Sequence, residues 1–202
     1  MFTTLEMPTL SIKDRYFLMT SVIVPRPIAL VTSWNKERTV LNAAPFSFFN
    51  GVSTEPPLIM LGLAAKPGAE GGLVLKDSTR NILETQEFVV NICSREMAPL
   101  VTRCGEALPP EVSEVDREGL ALVDSVYLHV PRIALSPVQL ECRLYQDIQI
   151  GANESHLILG EVLCVHVQEH LWKEGRFQGA ELDPLARLDA AWYGTVGERF
   201  KA

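Results

Sequence analysis

The sequence is short of cations. Eighteen Lys and Arg stand against 25 Asp and Glu, a net charge of −7, and broad nucleic-acid binding needs clustered cations that replace counterions. A small phosphate held by two or three local cations is not excluded. No apolar run approaches the ~18 residues of a membrane-spanning helix, and Met1 to Glu6 has neither a basic start nor an apolar signal core. The expectation is therefore a soluble, cytoplasmic protein with no membrane or nucleic-acid partner. The sequence also lacks paired cysteines: Cys93, Cys104, Cys142 and Cys164 are scattered without a C-x-x-C spacing, so they read as buried thiols and not as disulfides. Neither G-x-G-x-x-G nor G-x-x-x-x-G-K-[ST] occurs, nor a G-x-S-x-G elbow or an evident pair of catalytic carboxylates. Asn153-Glu154-Ser155 matches a glycosylation sequon that, without a secretion signal, is idle.

The chain has 202 residues and 47% hydrophobic content, enough to bury one core. No repeat or linker divides it, and a single domain over 1–202 is expected. Pro25 and Pro27 force extended backbone after a short apolar lead-in, Tyr16 to Val24. Ile28 to Trp34 reads as a strand, Asn35 to Arg38 as a turn, and the chain returns as a strand from Thr39; Leu58 to Leu63 is a third. Lys66 to Gly72 is a breaker cluster, read as a flexible loop able to cover a ligand. Asp77 or Ser78 can cap a helix over Thr79 to Thr85, ahead of a strand over Glu87 to Ile92. A second helix is expected over Arg95 to Arg103, stopping at Gly105, and a short one from the Ser113 cap to Gly119. Val138 to Ile150 and His156 to Val167 read as paired antiparallel strands. Many strands, few short helices and no strand-helix alternation predict a mainly β fold, an antiparallel barrel with helical insertions.

Between the first strands lies Asn42-Ala43-Ala44-Pro45-Phe46-Ser47, small and hydroxyl residues a packed core has little reason to contain. An irregular edge strand explains Pro45 alone. A planar ligand lying on backbone, with Asn42 and Ser47 reaching its edges, explains the whole run. Lys76-Asp77-Ser78-Thr79-Arg80-Asn81 offers cations, hydroxyls and N–H groups at a helix start, the chemistry of a phosphate site. The same spacing suits an ordinary capped helix; its place after a glycine-rich loop favours the phosphate reading. His166 and His170, with Cys164 nearby, have metal-ligand spacing only on a helix. On the strand expected here, residues four apart lie roughly 13 Å from each other, so no metal site is expected.

These pieces, together with Pro25-Arg26-Pro27-Ile28-Ala29, Ser53-x-x-Pro56-Pro57, Glu87-Phe88-Val89-Val90-Asn91, Glu141-Cys142, Gly160-Glu161-Val162 and Leu185-Ala186-Arg187-Leu188, resemble the flavin reductase-like family of FMN-binding split barrels, in its flavoredoxin-like branch. The resemblance covers roughly residues 16–193. It implies a Greek-key split β-barrel, a homodimer with FMN near the subunit interface, and NADH or NADPH as electron donor. Electrons would pass to free flavin, oxygen or a partner oxygenase; the alternatives are a flavoredoxin-like carrier and an FMN-binding module without turnover. Carried over, Thr32 and Ser33 lie near the ring or ribityl chain, and Asn42, Ala43, Ala44, Pro45, Phe46 and Ser47 line ring and tail. Lys76, Ser78 and Arg80 hold the phosphate, while Asn81, Arg187 and Tyr193 are equally structural or ligand-contacting. No catalytic side chain is implied, because the flavin carries the chemistry. One departure concerns a histidine that short reductases place five residues before the glycine of Gly160-Glu161-Val162. Here that position is Ser155, and His156, one step along, faces the other way on a strand.

Overall fold

The computed structural model describes residues 1–68, 71–151, 155–189 and 191–201. Its centre is a seven-stranded antiparallel sheet. The strands are β1 (Ala29–Trp34), β2 (Leu41–Phe46), β3 (Phe49–Thr54), β4 (Pro57–Leu63), β5 (Glu87–Ile92), β6 (Val138–Ile150) and β7 (Ser155–Val167). Their spatial order is β2-β1-β5-β6-β7-β4-β3. The two edges, β2 and β3, are consecutive in the chain and separated only by Ser47 and Phe48. A sheet whose opposite edges share so short a link has to roll up on itself. At the seam the Gly62 amide of β4 donates to the Phe48 carbonyl at 2.7 Å, yet no ladder joins β2 to β3. This is a split barrel, with a Greek-key crossing in which the chain leaves β4 and returns as β5 beside β1, while β7 comes back to pair with β4.

β1 is buried on both faces, which explains its unbroken apolar run. Ala29 and Val31 fill the barrel with Phe46, Phe88, Ile158 and, from helix α2 (Asp77–Thr85), Ile82. Leu30, on the other face, packs with Val89, Met97 and Val101 in a second core. Over that core lie α3 (Ala98–Cys104) and α4 (Glu114–Arg117). Cys93, Cys104 and Cys142 are buried free thiols, as expected, and burial pushes Cys93 and Cys104 up to about 12. Cys164 is only half-buried.

Several local expectations needed correction. The lead-in is an α-helix, Ile12–Val22, started by Ser11, whose Oγ accepts the Asp14 amide at 3.1 Å. Its apolar residues Ile12, Tyr16, Phe17, Met19 and Val22 are exposed, so no one-sided stripe marks it in the sequence. Pairing in β2 begins at Leu41, not Thr39, because the Asn35 Oδ1 accepts the amides of Thr39 and Val40 at 2.8 and 3.0 Å and draws them into the turn. Residues 95–103 divide into a 3-10 turn, Arg95–Met97, and α3, with Pro99 in its first turn. Part of the 66–72 breaker cluster is ordered as a small hairpin, Lys66–Pro67 against Leu73–Val74; Ala69 and Glu70 of that cluster, and Asn153 and Glu154 of the sequon, lie outside the described residues. β3 had no counterpart in the sequence reading. Among the described residues, no helix is long and apolar enough to cross a membrane.

Candidate functional site

Two clefts of about 330 and 240 Å³ meet at Pro45, Phe46 and Gly105, at the end of the edge strand β2. At this junction a Cβ on Gly105 would touch its surroundings, 3.4 Å from Pro45 Cγ and 3.3 Å from the Thr102 carbonyl oxygen. Along β2, Asn42, Ala44 and Phe46 face the smaller cleft, whereas Ala43 is fully buried in the core beside Leu30 and Val101. The Ala43 amide, which the sequence reading left for a ligand, donates to Glu114 Oε2 at 3.0 Å.

At one end of the trough lies the start of α2. Helix α2 begins at Asp77, so Lys76, and not Asp77 or Ser78, occupies the cap position, and no side chain caps the first turn. Uncapped N–H groups at a helix start are donors in search of an acceptor. Asn42 Nδ2 donates to Ser78 Oγ at 2.8 Å, which fixes the hydroxyl oxygen and leaves its hydrogen to be offered onward. Lys76 Nζ lies 5.3 Å from the centroid of the Phe46 ring. Burial, reinforced by Lys66, pulls the Lys76 ammonium below the usual lysine value. Lys76 thus lies beside a second cation, Lys66, the Phe46 ring and the open helix start. Asp77 is paired with Lys66 at 2.7 Å and with Arg80, and Glu106 and Glu114 line the same cleft.

That pairing places Arg80 in a neighbouring cleft together with Asn81, not beside Lys76. Asn81 Nδ2 donates to the Ser33 carbonyl and hydroxyl at 3.4 and 3.3 Å, so both residues fasten α2 to β1. The fully buried Thr32 hydroxyl donates to the Pro131 carbonyl at 3.0 Å and accepts from Asn91 Nδ2 at 3.3 Å. Thr32 and Ser33 line neither cleft at Pro45.

The larger cleft is walled by Tyr16, Ser47, Arg187 and Tyr193. The Arg187 guanidinium lies 4.7 Å from the Tyr193 ring centroid, and Tyr193 shares a 3.1 Å hydroxyl contact with Thr102. Ser47 Oγ accepts from Arg26 Nε at 3.3 Å. Two contributions escaped the sequence reading: the loop from Cys104 to Leu108, which closes the smaller cleft, and Glu114 beneath it. Burial raises the Glu114 carboxyl above the ordinary glutamate value, and the Ala43 amide only partly opposes this. An acid in the first turn after a Ser cap was its one sequence signal.

His156 is buried, on the same strand face as Ile158, with Nδ1 2.8 Å from Asp147 Oδ1. It has the opposite facing from Ser155, as the strand period requires. His166 lies on β7 and His170 in a 3-10 turn, so they do not share a helix face.

The comparisons agree with this geometry. The structure of nitrilotriacetate monooxygenase component B from Bacillus cereus superposes with a TM-score of 0.93 at 35% identity, covering 100% of this chain and 99% of that one. The 2-nitrobenzoate 2-nitroreductase of Pseudomonas fluorescens gives 0.87 at 32% identity, covering 99% and 95%. The flavoredoxin of Desulfovibrio vulgaris (Miyazaki F), at 20% identity and a TM-score of 0.74 over 89% and 91% of the two chains, shares the fold. The family model described as a flavin reductase like domain matches residues 19–181. On this match and on the shared split barrel, the chain belongs to the flavin reductase-like family.

Proposed function

We propose that the trough binds FMN and that the protein is an NAD(P)H:flavin oxidoreductase, acting as a homodimer of single-domain chains. The carrying observation is the uncapped start of α2, with Lys76 and Ser78 facing the cleft built on Asn42, Ala44, Pro45 and Phe46. Lys76, Ser78 and the first amides of α2 would hold the phosphate, Asn42 would keep the Ser78 hydroxyl aimed, and the β2 segment would carry the planar ring. Ser47, Arg187 and Tyr193, around the adjoining cleft, would border the exposed part of the ligand. When bound, FMN supplies the acceptance of hydride and its onward delivery as electrons; the chain supplies placement, charge and exclusion of water. Apolar side chains exposed on the first helix, Ile12, Tyr16 and Phe17, support a second copy of the chain packed near this end of the trough.

A similar structure is named as one component of a monooxygenase, which supports delivery to a partner oxygenase, with free flavin or oxygen as the other acceptors. The burial of His156 against Asp147, with Ser155 at the reductase histidine position, favours a second reading: an electron carrier of the flavoredoxin kind, loaded by another protein. Anaerobic titration of the FMN-loaded protein decides between them. Bleaching by NADH or NADPH is expected; bleaching only by dithionite or a redox protein would establish the carrier, and failure to bind FMN would end both.

A further inference from the structure

Three side chains on β6 and β7 point their ligand atoms at one place, away from the trough. Glu141 and Cys164 are cross-strand partners, and His166, two residues beyond Cys164, projects on the same face. His166 Nε2 is 2.7 Å from Glu141 Oε1 and 3.2 Å from Cys164 Sγ, and the three ligand atoms all lie within 4.8 Å of one another. None of these residues lines either cleft at Pro45. Protonated, Nε2 donates to the carboxylate, which also accepts from the Cys164 thiol; one cation in place of these protons would take all three atoms as ligands.

The carboxylate is already set for that role. Its two oxygens accept the amides of Val126 and Tyr127 at 2.7 and 2.8 Å, the kind of outer support that orients a metal ligand. The Glu141 side chain is fully buried while that of His166 is 22% exposed, so solvent reaches the cluster from the histidine side.

We propose that Glu141, Cys164 and His166 form a site for one thiophilic divalent cation of the zinc class, with water in the fourth position. Carboxylate, imidazole and thiolate are the donor set such an ion takes, at ~2.0 to 2.3 Å in a tetrahedron. The present 3.2 Å between sulfur and nitrogen has to open by only a few tenths of an ångström, on the order of the ~3.5 Å edge of that tetrahedron. The partner of His166 is thus Glu141, 25 residues away in sequence and supplied by strand pairing, and not His170.

The test uses the full chain stripped with a chelator. Calorimetric titration with Zn²⁺ is expected to show one ion per chain, and Co²⁺ to give a thiolate-to-cobalt charge-transfer absorption in difference spectra. Cys164→Ser should abolish that absorption, and His166→Gln should weaken Zn²⁺ binding roughly 10- to 100-fold. Both are preferred to a Glu141 variant, which would release the Val126 and Tyr127 amides and endanger the fold. An unchanged circular dichroism spectrum and thermal unfolding transition in each variant report that the fold is kept. Absence of saturable Zn²⁺ binding, or binding unchanged in both folded variants, would overturn the proposal and leave a hydrogen-bonded triad.

Discussion

At Gly160 a Cβ would lie 2.4 Å from Phe88 Cζ, and Phe88 is a fully buried ring at the centre of the barrel. Gly160→Ala must therefore displace that ring, and overpacking of this kind costs about 1 to 3 kcal/mol. Denaturant unfolding should show the loss, and an unchanged midpoint would contradict it. The glycine of Gly160-Glu161-Val162 thus has a packing reason that its sequence motif does not state. Glu114 was less legible still, because its importance comes from meeting the Ala43 amide 71 residues away. Its carboxyl is raised by burial, so the folded state holds that proton more tightly than the unfolded chain does. The favourable contribution is complete below the ordinary value of 4.5 and declines as pH rises toward the raised native value. In Glu114→Gln, which keeps an acceptor for Ala43, the fall in stability from acid to neutral pH should be smaller than in the parent. Parallel stability profiles would show that the buried carboxyl does not titrate as described.

Among the elements, β1 and α2 show most clearly what pattern alone conveys. The β-branched and apolar run from Ile28 marked β1, and the cation and hydroxyl cluster at Lys76 to Ser78 marked the start of α2. The first helix and β3 were not legible. The helix exposes its apolar residues, and β3 exposes Asn50, Gly51 and Val52 at the sheet edge, so neither carries the periodic burial that a sequence reading detects. The proposed FMN site needs β2 and α2 held together, and the Asn42–Ser78 hydrogen bond ties them inside the cleft. Asn42→Ala should cost about 0.5 to 1.5 kcal/mol of stability and also weaken FMN binding, because the Ser78 hydroxyl loses its fixed direction. Retention of full FMN affinity in a variant with the expected stability loss would make this tie purely structural.

On the scale of the whole molecule, one buried cation gathers segments that are distant in sequence. Arg26 donates to the carbonyls of Thr20, Ile23 and Leu188 and to Ser47 Oγ, joining the first helix, the β2–β3 link and the C-terminal strand pair Ala186–Arg187 and Tyr193–Gly194. Its sequence signature, Pro25-Arg26-Pro27, marked the family without revealing this role. The barrel was legible as a class because strand-rich segments outnumber helices, but its closure was not, since that follows from β2 and β3 being both chain neighbours and opposite sheet edges. The same closure sets the β2 trough against the start of α2. As proposed, this juxtaposition holds FMN and Lys76 supplies its positive charge. The decisive measurement is titration of FMN into the protein and into Lys76→Ala, followed by quenching of flavin fluorescence. Saturable binding by the parent is expected, with a loss of about 1.5 to 3 kcal/mol in the variant, the value of a hydrogen bond to a charged group. Equal affinity in the two proteins, or no binding by the parent, would contradict it.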